Sequence, residues 1–138
     1  MKNFLDPKMD SGALREISEL ALAHVGDSVF ELLVRSWLCS DHVAATNKNL
    51  HKLTVSYVQA TSQAAFVDAL LPLLTPEETA IYKRGRNAHS HTAPKHATPG
   101  QYARATGLET LFGYLYLSGQ LSRVNALFAA GLEAFHAL

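Results

Sequence analysis

The chain has 138 residues, 12 Lys and Arg against 12 Asp and Glu, and 48% apolar residues. That length fits one domain with a substantial core, and the apolar content with zero formal charge excludes a disordered polymer and a uniformly basic nucleic-acid coat. A single cysteine, Cys39, excludes an internal disulfide framework and any multi-cysteine zinc site.

The opening MKNFLDPKMDSG carries no apolar stretch, so no secretory leader is expected. Residues 1–12, with Pro7 and Gly12, read as a flexible arm ahead of a single domain. Leu14, Ile17, Leu20, Ala21, Val25, Val29, Leu32 and Leu33 then recur at three- and four-residue steps, which predicts a helix over 14–39. Gly26 weakens that helix by up to about 1 kcal/mol relative to Ala and would permit another backbone to approach. Residues 40–45 form a connector. Leu50, Leu53, Tyr57, Ala60, Ala64, Val67 and Leu71 predict a second helix over 46–71, stopped or kinked by Pro72. Thr75-Pro76-Glu77-Glu78 is a helix start with the makings of a capping box, and the helix runs to about 86. Residues 87–97 form a polar loop. Thr98-Pro99-Gly100-Gln101 repeats the start signal for a helix over 99–117, closed by Ser118-Gly119. A last helix covers 121–136. No run approaches the roughly 18 apolar residues of a membrane span, so a soluble cytoplasmic protein is expected. Leu (21) and Ala (20) far outnumber Val (8) and Ile (2), and no segment alternates like a half-buried strand. The fold class is all-α.

Four features carry chemistry. Asp27 follows Gly26 inside an apolar helix, with Glu31 one turn on; a solvated stripe would look the same. Glu109 lies in LETLFGYLYL (108–117), apolar on nearly every side. A carboxylate there must be paired, neutralised, bound to metal or placed at a wet edge. It sits about ten residues into its helix, beyond the reach of the N-terminal dipole. Third, residues 79–108 and 42–67 contain no acid, and the first stretch carries Lys83, Arg84, Arg86, Lys95 and Arg104 around KRGRN (83–87). A neutral chain has separated its charges, giving a footprint for a phosphate backbone; a basic helix end complementing its own dipole is the plain alternative. Fourth, His89, His91 and His96 lack a rigid helical spacing, so zinc is disfavoured against solvated or phosphate-facing histidines. Two carboxylates on apolar helices can hold a hard divalent cation. With a basic surface beside them, they suit metal-dependent phosphodiester hydrolysis.

These segments resemble a known family. LALAHVGDSVFELLVR (20–35) resembles the signature helix of ribonuclease III nuclease domains, and ATGLETLFGYLYL (105–117) their second acidic helix. KRGRNAHSHTAPK (83–95) is similar to the KRGRNAKS-type segment of the Mini-III branch, which lacks a double-stranded-RNA-binding domain. The resemblance covers roughly residues 14–135. It implies a ribonuclease III-type helical homodimer that cleaves double-stranded RNA with Mg²⁺, leaves 5′-phosphate and 3′-hydroxyl ends, and matures precursor large-subunit (23S) ribosomal RNA. It also implies that Asp27 and Glu109 are the catalytic, metal-binding acids.

Three acids of the larger enzymes are replaced, by Leu20, Ala23 and Thr106. Glu31 is therefore a candidate extra ligand, and a non-catalytic RNA-binding or ribosome-assembly module of the same fold is the rival reading. Arg84, Arg86, Asn87 and Lys95 are expected to hold RNA backbone, because a duplex is read mainly through shape, phosphates and 2′-hydroxyls. Val25, Val29, Phe30 and Trp37 are candidates for the dimer surface or for ordinary core.

Overall fold

A computed structural model describes residues 1–41, 46–88 and 96–136. Among them are seven α-helices and no strand: α1 (Ser11–Arg15), α2 (Glu19–Ser40), α3 (Asn47–Val58), α4 (Ala60–Leu70), α5 (Pro76–Asn87), α6 (Pro99–Leu117) and α7 (Leu121–His136). The expected all-α class holds. The helix expected over 14–39 is in fact two. Asp10 caps α1 through the Ala13 N–H at 2.8 Å, and Ser18, in extended conformation, caps α2 through the Ala21 N–H at 3.1 Å. A serine able to satisfy an orphan N–H starts a new helix where apolar spacing alone suggests continuity.

The helix expected over 46–71 also breaks, at Gln59, whose ψ of 153° is extended. The Ser62 hydroxyl donates to the Ser56 carbonyl at 2.6 Å and knits that corner. Leu71–Leu73 forms a single 3-10 turn at Pro72. Both expected capping boxes are present. The Glu78 N–H donates to Thr75 Oγ1 at 3.1 Å and the Thr75 N–H to Glu78 Oε1 at 2.9 Å. Thr98 and Gln101 make the same pair at 3.1 and 2.9 Å. Gly119, at φ +80°, closes α6, with the Gln120 N–H donating to the Leu115 carbonyl at 2.8 Å.

Helix α6 is the hub, with α2, α4, α5 and α7 all packed against it. Its apolar residues face every direction because it is covered from nearly every direction. Phe30 of α2 sits at the centre, edge-on to Phe66, Phe112 and Phe128 at centroid distances of 5.1, 5.9 and 5.8 Å. Phe30 is thus core and has no part in any docking surface, while Leu20 and Leu32 are the large apolar residues that α2 does expose. Arg123 of α7 grips the buried Glu78 with two 2.8 Å hydrogen bonds and donates to the Leu73 carbonyl at 2.9 Å.

The amino-terminal segment lies against the end of α6. The Met9 N–H donates to the Leu117 carbonyl at 2.7 Å, and the Tyr116 hydroxyl to the Phe4 carbonyl at 2.8 Å. No described helix is long and apolar enough to cross a membrane.

Candidate active site

Helices α2 and α6 cross backbone against backbone. A Cβ on Gly26 would overlap the Glu109 carbonyl, and a Cβ on Gly113 would overlap the Leu22 carbonyl. Each helix presents a glycine where the other's main chain passes, so the axes approach more closely than side chains allow. Asp27 follows Gly26 directly, and its exposed carboxylate meets that of Glu109 at this crossing. Thr110, fully buried, fixes the rotation of α6: its hydroxyl faces the Thr106 carbonyl at 2.8 Å and the Glu19 carbonyl of α2 at 3.2 Å. Gly85 of α5 leaves the space that the Thr110 side chain fills.

Glu109 is partly buried, and its carboxyl is pushed up to about 8. Burial is the larger cause and the neighbouring Asp27 carboxyl the next, while the Gln63 amide pulls the other way. A cavity of about 280 Å³ opens on this side, walled by Gln59 at the α3–α4 break, by Gln63 of α4 and by Tyr102, Thr106 and Glu109 of α6.

Among the described residues no group of three or more His, Cys, Asp or Glu side chains gathers in metal-binding geometry. Glu31, considered as an extra ligand, is paired instead with Arg35 at 2.8 Å on its own helix. The Thr106 hydroxyl donates to the Tyr102 carbonyl at 3.0 Å. His89, His91 and Lys95 lie outside the described residues.

Arg84 is paired with an acid other than Asp27 or Glu109. Arg84 reaches Glu19 at 3.6 Å. Glu19 is eight residues before Asp27, about 12 Å along the helix at 1.5 Å per residue. Arg86 lies over the Tyr82 ring, 5.8 Å from its centroid, and its Nε faces Asn87 Oδ1 at 3.4 Å. Arg84, Arg86 and Asn87 therefore share the carboxyl-terminal end of α5.

Residues 20–120 match the Ribonuclease III domain family. The chain belongs to the ribonuclease III family. Within it, the chain is 45% identical over 114 residues to the Mini-ribonuclease 3 of Symbiobacterium thermophilum, covering 83% of this chain and 87% of that one. It is 44% identical over 116 residues to that of Enterococcus faecalis (82% and 86%), and 36% over 126 residues to that of Clostridium tetani (91% and 83%). A crystal structure of a Fusobacterium nucleatum protein superposes with a TM-score of 0.77 at 27% identity, covering 87% of this chain and 95% of that one. The Mini-III resemblance seen in the sequence is thereby established, and the chain is an endoribonuclease of the ribonuclease III family.

Two residues of this site escaped the sequence reading. Gln63 lies at i+3 from Ala60 and just before Ala64, on the buried stripe of α4, so helical spacing already placed it inward. Thr110 lies within the apolar run around Glu109, where a buried hydroxyl must find a carbonyl.

Proposed function

We propose that the chain is a cytoplasmic, Mg²⁺-dependent nuclease for double-stranded RNA, working as a homodimer in maturation of precursor large-subunit ribosomal RNA and leaving 5′-phosphate ends. The observation that carries the reading is the meeting of Asp27 and Glu109 at a glycine crossing. Their donor chemistry fits a hard divalent cation: oxygen ligands from two rigid helices, where a cation could replace the proton that burial and Asp27 favour on Glu109. Mg²⁺ characteristically takes one or two carboxylates and leaves the rest of its shell to water and phosphate oxygens, so a two-acid site suffices. A cation bound there supplies Lewis acidity toward phosphate and a more acidic water. Asp27, at the exposed side, and Glu109, at the buried side, would hold it between α2 and α6.

Arg84, Arg86, Asn87 and Lys95 are the proposed contacts to RNA backbone. Arginine forks match phosphate oxygens, and Arg84 pairs with Glu19, about two turns of α2 before Asp27, where a phosphate flanking the cut could be held. A two-fold pair of such chains would cut both strands.

The test is cleavage of long double-stranded RNA in Mg²⁺ against EDTA, with a single-stranded control and with Asp27→Asn and Glu109→Gln. Mg²⁺-dependent cutting of the duplex, lost in both variants, is the expected result. Duplex binding without cutting would instead identify a non-catalytic relative.

A further inference from the structure

We propose that Gln63 is a positioning residue for the cleavage site: in the cation-bound site its buried amide –NH₂ donates to the Glu109 carboxylate and fixes the direction in which that carboxylate faces. The inference rests on the carboxylate-and-cation reading above and names a residue that reading does not use.

Gln63 is 2% exposed. An amide so deeply buried ordinarily has hydrogen-bond partners for both its ends. Its Nε2 has none. It comes from α4, a third helix, and lines the same cavity as Glu109. The other polar side chains of that wall are engaged or weaker. The Thr106 hydroxyl donates to the Tyr102 carbonyl, and the Gln59 amide reaches Ser62 Oγ at 3.4 Å. The Glu109 carboxylate is the strongest acceptor available to an orphan donor there, and a hydrogen bond to a charged acceptor is the stronger kind. The amide already favours the charged form of Glu109 against burial and Asp27, although no hydrogen bond within bonding distance and angle is formed. An unsatisfied buried donor is a liability to folding alone, and is expected where its acceptor is a working group. Outer-shell partners of ligating carboxylates act in this way, orienting the ligand without touching the cation.

The experiment compares wild type with Gln63→Met, which keeps the length and removes the donor, and Gln63→Leu as a second donor-free variant. Each is melted across a Mg²⁺ titration without RNA, and kcat and KM are measured on duplex RNA at fixed Mg²⁺. Donor-free variants are expected to melt at or above the wild-type temperature in EDTA. Their half-saturating Mg²⁺ concentration should rise about 10–100-fold, with kcat falling and KM for the duplex within twofold of wild type. A residue that merely packs would show the reverse, a lower melting temperature with an unchanged Mg²⁺ response, and that result overturns the proposal. Wild-type Mg²⁺ response and kcat in both variants overturn it as well. If wild-type melting ignores Mg²⁺ and Asp27→Asn changes nothing, the cation reading itself fails and this proposal falls with it.

Discussion

Glu109 connects ionisation to stability. Its folded value of about 8 lies above the ordinary 4.5. The folded state therefore binds this proton more tightly than the unfolded chain does. The resulting stabilisation is complete below about pH 4.5 and is lost as pH rises through about 8. In EDTA the melting temperature should fall across that window, by an amount equivalent to roughly 3–4 kcal/mol at about 1.4 kcal/mol per unit. Glu109→Gln should flatten the fall. The measurement is a series of calorimetric melts from pH 5 to 8.5, and a wild-type profile parallel to that of the variant would contradict the assignment. Because ligating carboxylates must be deprotonated, Mg²⁺ binding near neutral pH should release a proton. Glu78 behaves oppositely. Hydrogen bonds from Arg123 hold it below the usual carboxylate range despite its burial, so its contribution is present above the ordinary carboxylate value and lost as pH falls through the lower folded one. Arg123→Ala should cost about 2–3 kcal/mol in urea unfolding, the range for losing charge-assisted hydrogen bonds to a buried acid.

Between helices, the decisive contact is the crossing of α2 and α6. Gly26→Ala should destabilise by about 3 kcal/mol or more, the upper range for overpacking, because the obstruction is backbone and cannot rotate away. At Gly100, in the first turn of α6, an added methyl would meet the flexible end of Arg104 at 3.6 Å, an ordinary contact. Gly100→Ala should therefore be neutral or stabilise by up to about 1 kcal/mol. Urea titration of the two variants gives the comparison. The starts and ends of α5, α6 and α7 were legible in the sequence because Thr75, Thr98 and Gly119 act locally, through bonds to residues a few positions away. The breaks at Ser18 and Gln59 were not, because the apolar stripe runs through both and neither carries Gly or Pro. Gly26 suggested a close approach, but its partner on α6 is a tertiary fact. Gln63 illustrates the same divide: spacing puts it inside, and only the folded chain puts it beside Glu109.

For the molecule as a whole, unlike charges are held at different places in the fold. The formal charge is zero, yet the end of α5 carries Arg84 and Arg86 while Asp27 and Glu109 lie at the crossing of α2 and α6. Binding to duplex RNA should weaken steeply with salt. Arg86→Ala should lower affinity across sequences alike and reduce the magnitude of the log–log salt slope by about 1. Filter binding between about 50 and 200 mM salt would show it, and a sequence-selective loss would argue for base contact instead. The glycine crossing has a consequence at this scale too. The gap between the two helices that carry the acids is set by main chain touching main chain, a distance with almost no tolerance in either direction. Truncating Phe128, which α7 contributes to the aromatic core, should then erode the folded population more than it detunes the chemistry of the molecules that remain folded. On heating, cleavage and helicity should disappear along one curve, with no temperature at which an intact fold holds a misaligned site.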